Sequence, residues 1–130
     1  MRAKQRINFW GPVFFWCLVI FAFSSIPTLP KVGFIWWDFI LKKSAHMIEY
    51  GILFFLVWRA LSNSFGQKIS KVGIFWTTLI FCILYAISDE YHQSFIPGRS
   101  SRAFDVGFDT LGMILSWRVI AKRKRSKTDG

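Results

Sequence analysis

The sequence predicts an all-α fold, a polytopic membrane four-helix bundle with both termini cytoplasmic. Three observations carry that expectation. First, 53% of the 130 residues are hydrophobic and 19% aromatic, with mean hydropathy +0.36. That is too apolar for a soluble domain of this size to hide inside one core. Second, four apolar runs of spanning length alternate with short polar, Gly- or Pro-containing connections. Third, the side holding both termini and residues 62–71 carries twelve Lys and Arg, and the other side carries five. The positive-inside rule then places both termini in the cytoplasm. The net charge of +10 is thus read as anchoring and topology rather than as a nucleic-acid surface. The length fits one domain: a basic N-terminus over 1–8, a four-span unit over 9–121 and a basic tail over 122–130.

Residues 9–26 form the first run, 18 residues without a charge. The run is longer than the apolar part of a signal peptide and no small-x-small cleavage pattern follows, so it reads as a retained span. Pro12 is expected in its first turn, where a missing amide costs least, and Pro27 and Pro30 end it. Residues 28–42 read as a connection along the interface, with Trp36 and Trp37 at headgroup level beside Lys42 and Lys43. The second span is expected over 44–61, followed by a polar connection over 62–71 that contains Gly66. Residues 72–88 are the third span, and Pro97 and Gly98 turn the chain after it. The short connection makes the fourth span, 103–121, return antiparallel beside the third. The final KRKRSK stretch reads as a mobile basic end. Cys17 and Cys82 stand alone in apolar runs, far from any Cys-x-x-Cys or Cys/His ligand spacing, and read as fillers.

Ionisable residues inside these spans point to a site. A carboxylate at the centre of a membrane helix is unfavourable by roughly 2.5 to 3.5 kcal/mol on insertion scales, so its presence there is read as functional. Helical spacing puts His46, Glu49 and Tyr50 on one stripe, Tyr85, Asp89, His92 and Gln93 on another, and Asp105, Asp109, Gly112 and Ser116 on a third, while Glu90 and Ser94 look to a neighbouring face. Gly112 and Ser116 read as small residues that let another helix approach. Counting from the outer helix ends, Glu49, Asp89 and Asp109 each lie roughly 9 Å below the rim. His46, His92 or Gln93, and Asp105 lie about one turn above them, with Arg99 and Arg102 overhead.

Desolvation and mutual repulsion disfavour a fully ionised, unpaired cluster. The acids share protons, pair with His46, Arg99 and Arg102, or hold a divalent cation. No strong metal motif such as HExxH occurs, so no cofactor is expected and a metal is the less favoured choice. The candidate catalytic residues are His46, Glu49, Asp89 and Glu90, with Glu49 or Asp89 as general base and His46 as proton relay. Lys43, Arg99 and Arg102 are candidates to receive an anionic headgroup, and Tyr50, His92, Gln93, Asp105 and Asp109 complete the ligand-binding set. No Ser or Cys is expected next to this group as a nucleophile, so if chemistry occurs water or a substrate hydroxyl would be activated.

Several of these segments together resemble the VanZ-like family of small multi-pass membrane proteins. The resemblance rests on Lys43, His46 and Tyr50 in KSAHMIEY, Asp89, Glu90 and Gln93 in DEYHQ, Pro97 and Arg99 in IPGR, and Asp105 and Gly112 in DVGFDTLG. It covers roughly residues 9 to 120; Asp109 stands where many members carry Asn. The resemblance implies a bacterial cytoplasmic membrane protein from a family named for a component associated with teicoplanin resistance. Two expectations follow. One is an outward-facing site that binds or modifies an amphiphilic envelope lipid or lipoglycopeptide; the other is a non-enzymatic envelope factor whose polar cluster locks helices together. Ion transport is weaker, since the inner halves of the spans hold no second acidic cluster. The expected partners are membrane lipid and an anionic amphiphile of the outer leaflet, with no nucleic acid. Self-association is compatible with the apolar surface that remains.

Overall fold

A computed structural model describes residues 3–25, 35–95 and 103–129, with side chains omitted for 35–43, 103–105 and 128–129. Four helices account for nearly all of these residues: α1 (Ala3–Ser24), α2 (Ile35–Phe65), α3 (Lys71–Gln93) and α4 (Ala103–Asp129). No strand occurs among the described residues.

The helices run past the spans read from the sequence, and three of the differences have a clear cause. Helix α2 begins at Ile35, inside the stretch expected to be a connection. The run from Ile35 to Lys43 contains no Gly or Pro, so nothing stops the helix from propagating backwards out of the span. At 31 residues it is roughly 46 Å long, longer than a hydrocarbon layer of about 30 Å. Helix α4 likewise continues to Asp129, because Lys and Arg are good helix formers; the basic tail is helical. Pro12 lies well inside α1 rather than in its first turn, since the helix already starts at Ala3. Its ring nitrogen gives the Asn8 carbonyl no amide to accept from.

Side-chain pairings give the direction of each helix. Trp10 donates to Ser64 Oγ at 3.1 Å and Trp16 to the Glu49 carbonyl at 2.9 Å, so α1 and α2 are antiparallel. Phe54 meets Phe75 and Tyr50 meets Asp89, so α2 and α3 are antiparallel too. His46 approaches Asp109 and Phe54 approaches Trp117, which makes α4 parallel to α2. The described ends of α1 and α4 therefore emerge together with the α2–α3 connection, as the short connections require.

Helix α2 packs on all three others, while α1 and α4 do not pack on each other among the described residues. Its inward stripe, Tyr50, Leu53, Phe54, Val57, Ala60 and Leu61, is buried at steps of three and four. The α2–α4 seam is tight because Gly51 faces Gly112: a Cβ on Gly112 would collide with the Met47 carbonyl. The small residues on the fourth helix thus serve close packing, as expected. Outside the core the surface is apolar, with Phe14, Phe15, Leu18, Ile80, Leu84, Ile87 and Val119 all exposed. Helices α1 and α3 are long and apolar enough to cross a membrane.

Candidate functional site

At the end of the bundle away from the described ends of α1 and α4, all four helices turn polar side chains inward. Helix α3 supplies Asp89 and Gln93, one turn apart. Tyr50 of α2 donates its hydroxyl to Asp89 Oδ2 at 2.9 Å, and Gln93 Nε2 donates to the same oxygen at 3.2 Å. The Gln93 amide also donates to Ser24 Oγ of α1 at 3.2 Å. This buried chain, Tyr50–Asp89–Gln93–Ser24, ties three helices at one level. The arrangement satisfies a carboxylate that would be costly if left alone.

A second group lies across the α2–α4 seam. His46 Nδ1 is 3.7 Å from Asp109 Oδ1 and 4.0 Å from Glu49 Oε2. These separations allow ion pairing when the imidazole is protonated and are long for direct hydrogen bonds. Asp109 is fully buried, at 1% exposure, whereas His46 and Glu49 are each partly open. The His46 ring also stacks at 6.4 Å on Tyr50, so the two groups share a wall. His46 stands level with Asp109 rather than a turn above it, because α2 and α4 run parallel in close register.

A third pair lies towards α1. His92 Nε2 is 3.0 Å from Ser25 Oγ, and its ring stacks on Phe21 at 4.5 Å. A serine hydroxyl therefore lies beside His92, one of the expected ligand-binding residues. The Ser25 hydroxyl donates to the Phe21 carbonyl at 2.8 Å, so the imidazole N–H must donate to Ser25. A histidine in that role does not act as a base on the hydroxyl.

Of the other expected residues, Glu90 is buried beside Asp89, while Ile87 and Tyr91 of the same helix are exposed. Lys43 and Asp105 lie on helical backbone but their side chains are outside the described set, and Arg99 and Arg102 fall outside the described residues altogether. Among the described residues no group of three or more His, Cys, Asp or Glu is placed to hold a metal ion. The sequence reading missed what α1 contributes. Ser24 and Ser25 are the only hydroxyl side chains in that helix and its final turn, and their position at the end of an uncharged run was the available signal. Trp16 was equally hidden, because its indole partner is a backbone carbonyl with no sequence signature.

Residues 7–123 match the family model described as VanZ/LLP1. No match was found among curated proteins or among solved structures. A match over nearly the whole chain shows the family, and the chain belongs to it.

Proposed function

We propose that this member of the VanZ/LLP1 family is a four-span protein of the bacterial cytoplasmic membrane, with both termini inside and an outward-facing site for an anionic amphiphile of the outer leaflet. The family and the two long apolar helices support the membrane assignment. The orientation rests on the excess of Lys and Arg at the end that holds the termini. The observation that carries the site is His46 standing between Glu49 and Asp109 beside the Tyr50–Asp89 bond.

The geometry divides labour within the cluster. Asp89 accepts from both Tyr50 and Gln93, which suits a positioning residue better than a base. Glu49, partly open and next to His46, is the better general base, with His46 relaying the proton. Lys43, Arg99 and Arg102 would receive the anionic group at the mouth. The family's association with teicoplanin resistance makes a lipoglycopeptide the first amphiphile to try.

The test is binding of teicoplanin to the purified protein in lipid nanodiscs. His46→Gln and the pair Arg99→Ala/Arg102→Ala should bind at least several-fold more weakly while folding as the parent does. Unchanged binding in well-folded variants would overturn the site. The structural reading has its own support in the buried chain from Tyr50 to Ser24, and it predicts that only Tyr50, Asp89 and Gln93 variants lose folding.

A further inference from the structure

The opposite end of the bundle holds a separate cavity that this outward site does not use. It measures about 310 Å³ and opens between α2, α3 and α4. Trp58, Phe75 and Trp117 form its walls, and Lys71, Lys124 and Ser62 stand at its rim. None of its lining residues is acidic.

We infer that this cavity is a binding site for an anionic phospholipid of the leaflet facing the α2–α3 connection, with the headgroup phosphate between Lys71 and Lys124 and one acyl chain against the aromatic walls. Four features point the same way. The two cations come from different helices and converge on one opening, the arrangement that basic pockets between membrane helices use for phosphate headgroups. Lys124 Nζ sits 4.6 Å over the Trp58 ring, which holds the ammonium at the rim by a cation–π contact.

The start of α3 adds a third feature. Ser70 caps the helix by accepting from the Gly73 amide, and the first intrahelical bond is Ile74 N to the Ser70 carbonyl. The amides of Lys71 and Val72 precede that bond, so the positive end of the helix dipole lies at the same rim. The fourth feature is the indoles. Trp10 and Trp16 donate to acceptors within the protein, whereas Trp58 and Trp117 have no hydrogen-bond acceptor among the described residues. Tryptophans placed this way suit the boundary between acyl chains and headgroups.

A soluble phosphate would find the same cations but no use for three aromatic walls, so the occupant is a lipid. The site is independent of the proposed outer one, and either can fail without the other.

Native mass spectrometry tests it, on protein released from vesicles containing equal amounts of phosphatidylglycerol and phosphatidylcholine. The parent should retain phosphatidylglycerol in preference. Lys71→Gln/Lys124→Gln should lose that preference about thirty-fold, roughly five-fold for each lysine near a membrane surface. Lys71→Arg/Lys124→Arg should keep it. Lys68→Gln/Lys122→Gln removes the same charge from the same end outside the cavity, and should also keep it. An equal loss in that control pair would assign the preference to bulk charge and overturn the site, as would a Lys71→Gln/Lys124→Gln protein that still selects phosphatidylglycerol. A disordered Lys71→Gln/Lys124→Gln protein shifts the decision to Trp117→Ala, which must lower retention if the aromatic walls hold a chain.

Discussion

The two ends of this bundle are held together by opposite means. At the end away from the α2–α3 connection, directional hydrogen bonds between buried polar groups join α1, α2 and α3: Tyr50 to Asp89, Gln93 to Asp89 and Gln93 to Ser24. Towards the α2–α3 connection, Phe54, Phe75 and Trp117 pack ring against ring at 4.8 to 6.4 Å, and Arg59 lies 5.2 Å over Phe9. The difference follows from the solvent. In a bilayer, burying one apolar side chain against another gains little over burying it in lipid. Ring packing therefore accommodates small shifts, while a phenol and a carboxylate have one productive geometry. The polar end sets register, and the aromatic end fills space.

The seam common to both ends should be the most sensitive point. Gly112→Val puts a side chain into the Met47 carbonyl and should cost about 3 kcal/mol, read as a fall in thermal midpoint in detergent or as failure to purify. A well-folded Gly112→Val protein would mean that α2 and α4 can separate without loss.

Next comes the polar lock. Tyr50→Phe keeps the ring but withdraws the hydroxyl from Asp89, and should cost about 1.5 to 3 kcal/mol in the same melting assay. The counterpart at the aromatic end, Phe75→Leu, stays apolar and should cost no more than about 1.5 kcal/mol. If Phe75→Leu proves the more damaging of the two, the contrast between the ends is reversed.

The smallest effect is expected at Ser25, half-buried at the edge of the site. Ser25→Ala should change stability by no more than about 0.5 kcal/mol. The parent should not be labelled by a fluorophosphonate, because the hydroxyl already donates to the Phe21 carbonyl. Labelling that disappears in Ser25→Ala would recast Ser25 and His92 as a nucleophile and its base.

Much of this was legible in advance. That His46 and Glu49 share a face follows from helical spacing; counting residues from the turns brings Glu49, Asp89 and Asp109 towards one end of the bundle but misses the level, because Asp109 meets His46 and Asp89 meets Tyr50. Which carboxylate meets which partner could not be counted. Tyr50 finds Asp89 and His46 finds Asp109 because α2 sits in the centre and touches all the other helices, and that choice depends on the fit of Gly51 against Gly112.

By itself the sequence determined the four helices, their alternating direction and the concentration of acidic groups at one end. These follow from local properties: apolar run length, turn residues and the placement of charge. Only the tertiary structure decided that α1 completes the polar end through Ser24 and Ser25, and that lysines from two helices meet over aromatic walls at the other end. Those outcomes depend on which faces of separate helices come together. Helix–helix packing settles that, and no periodicity within a single segment records it.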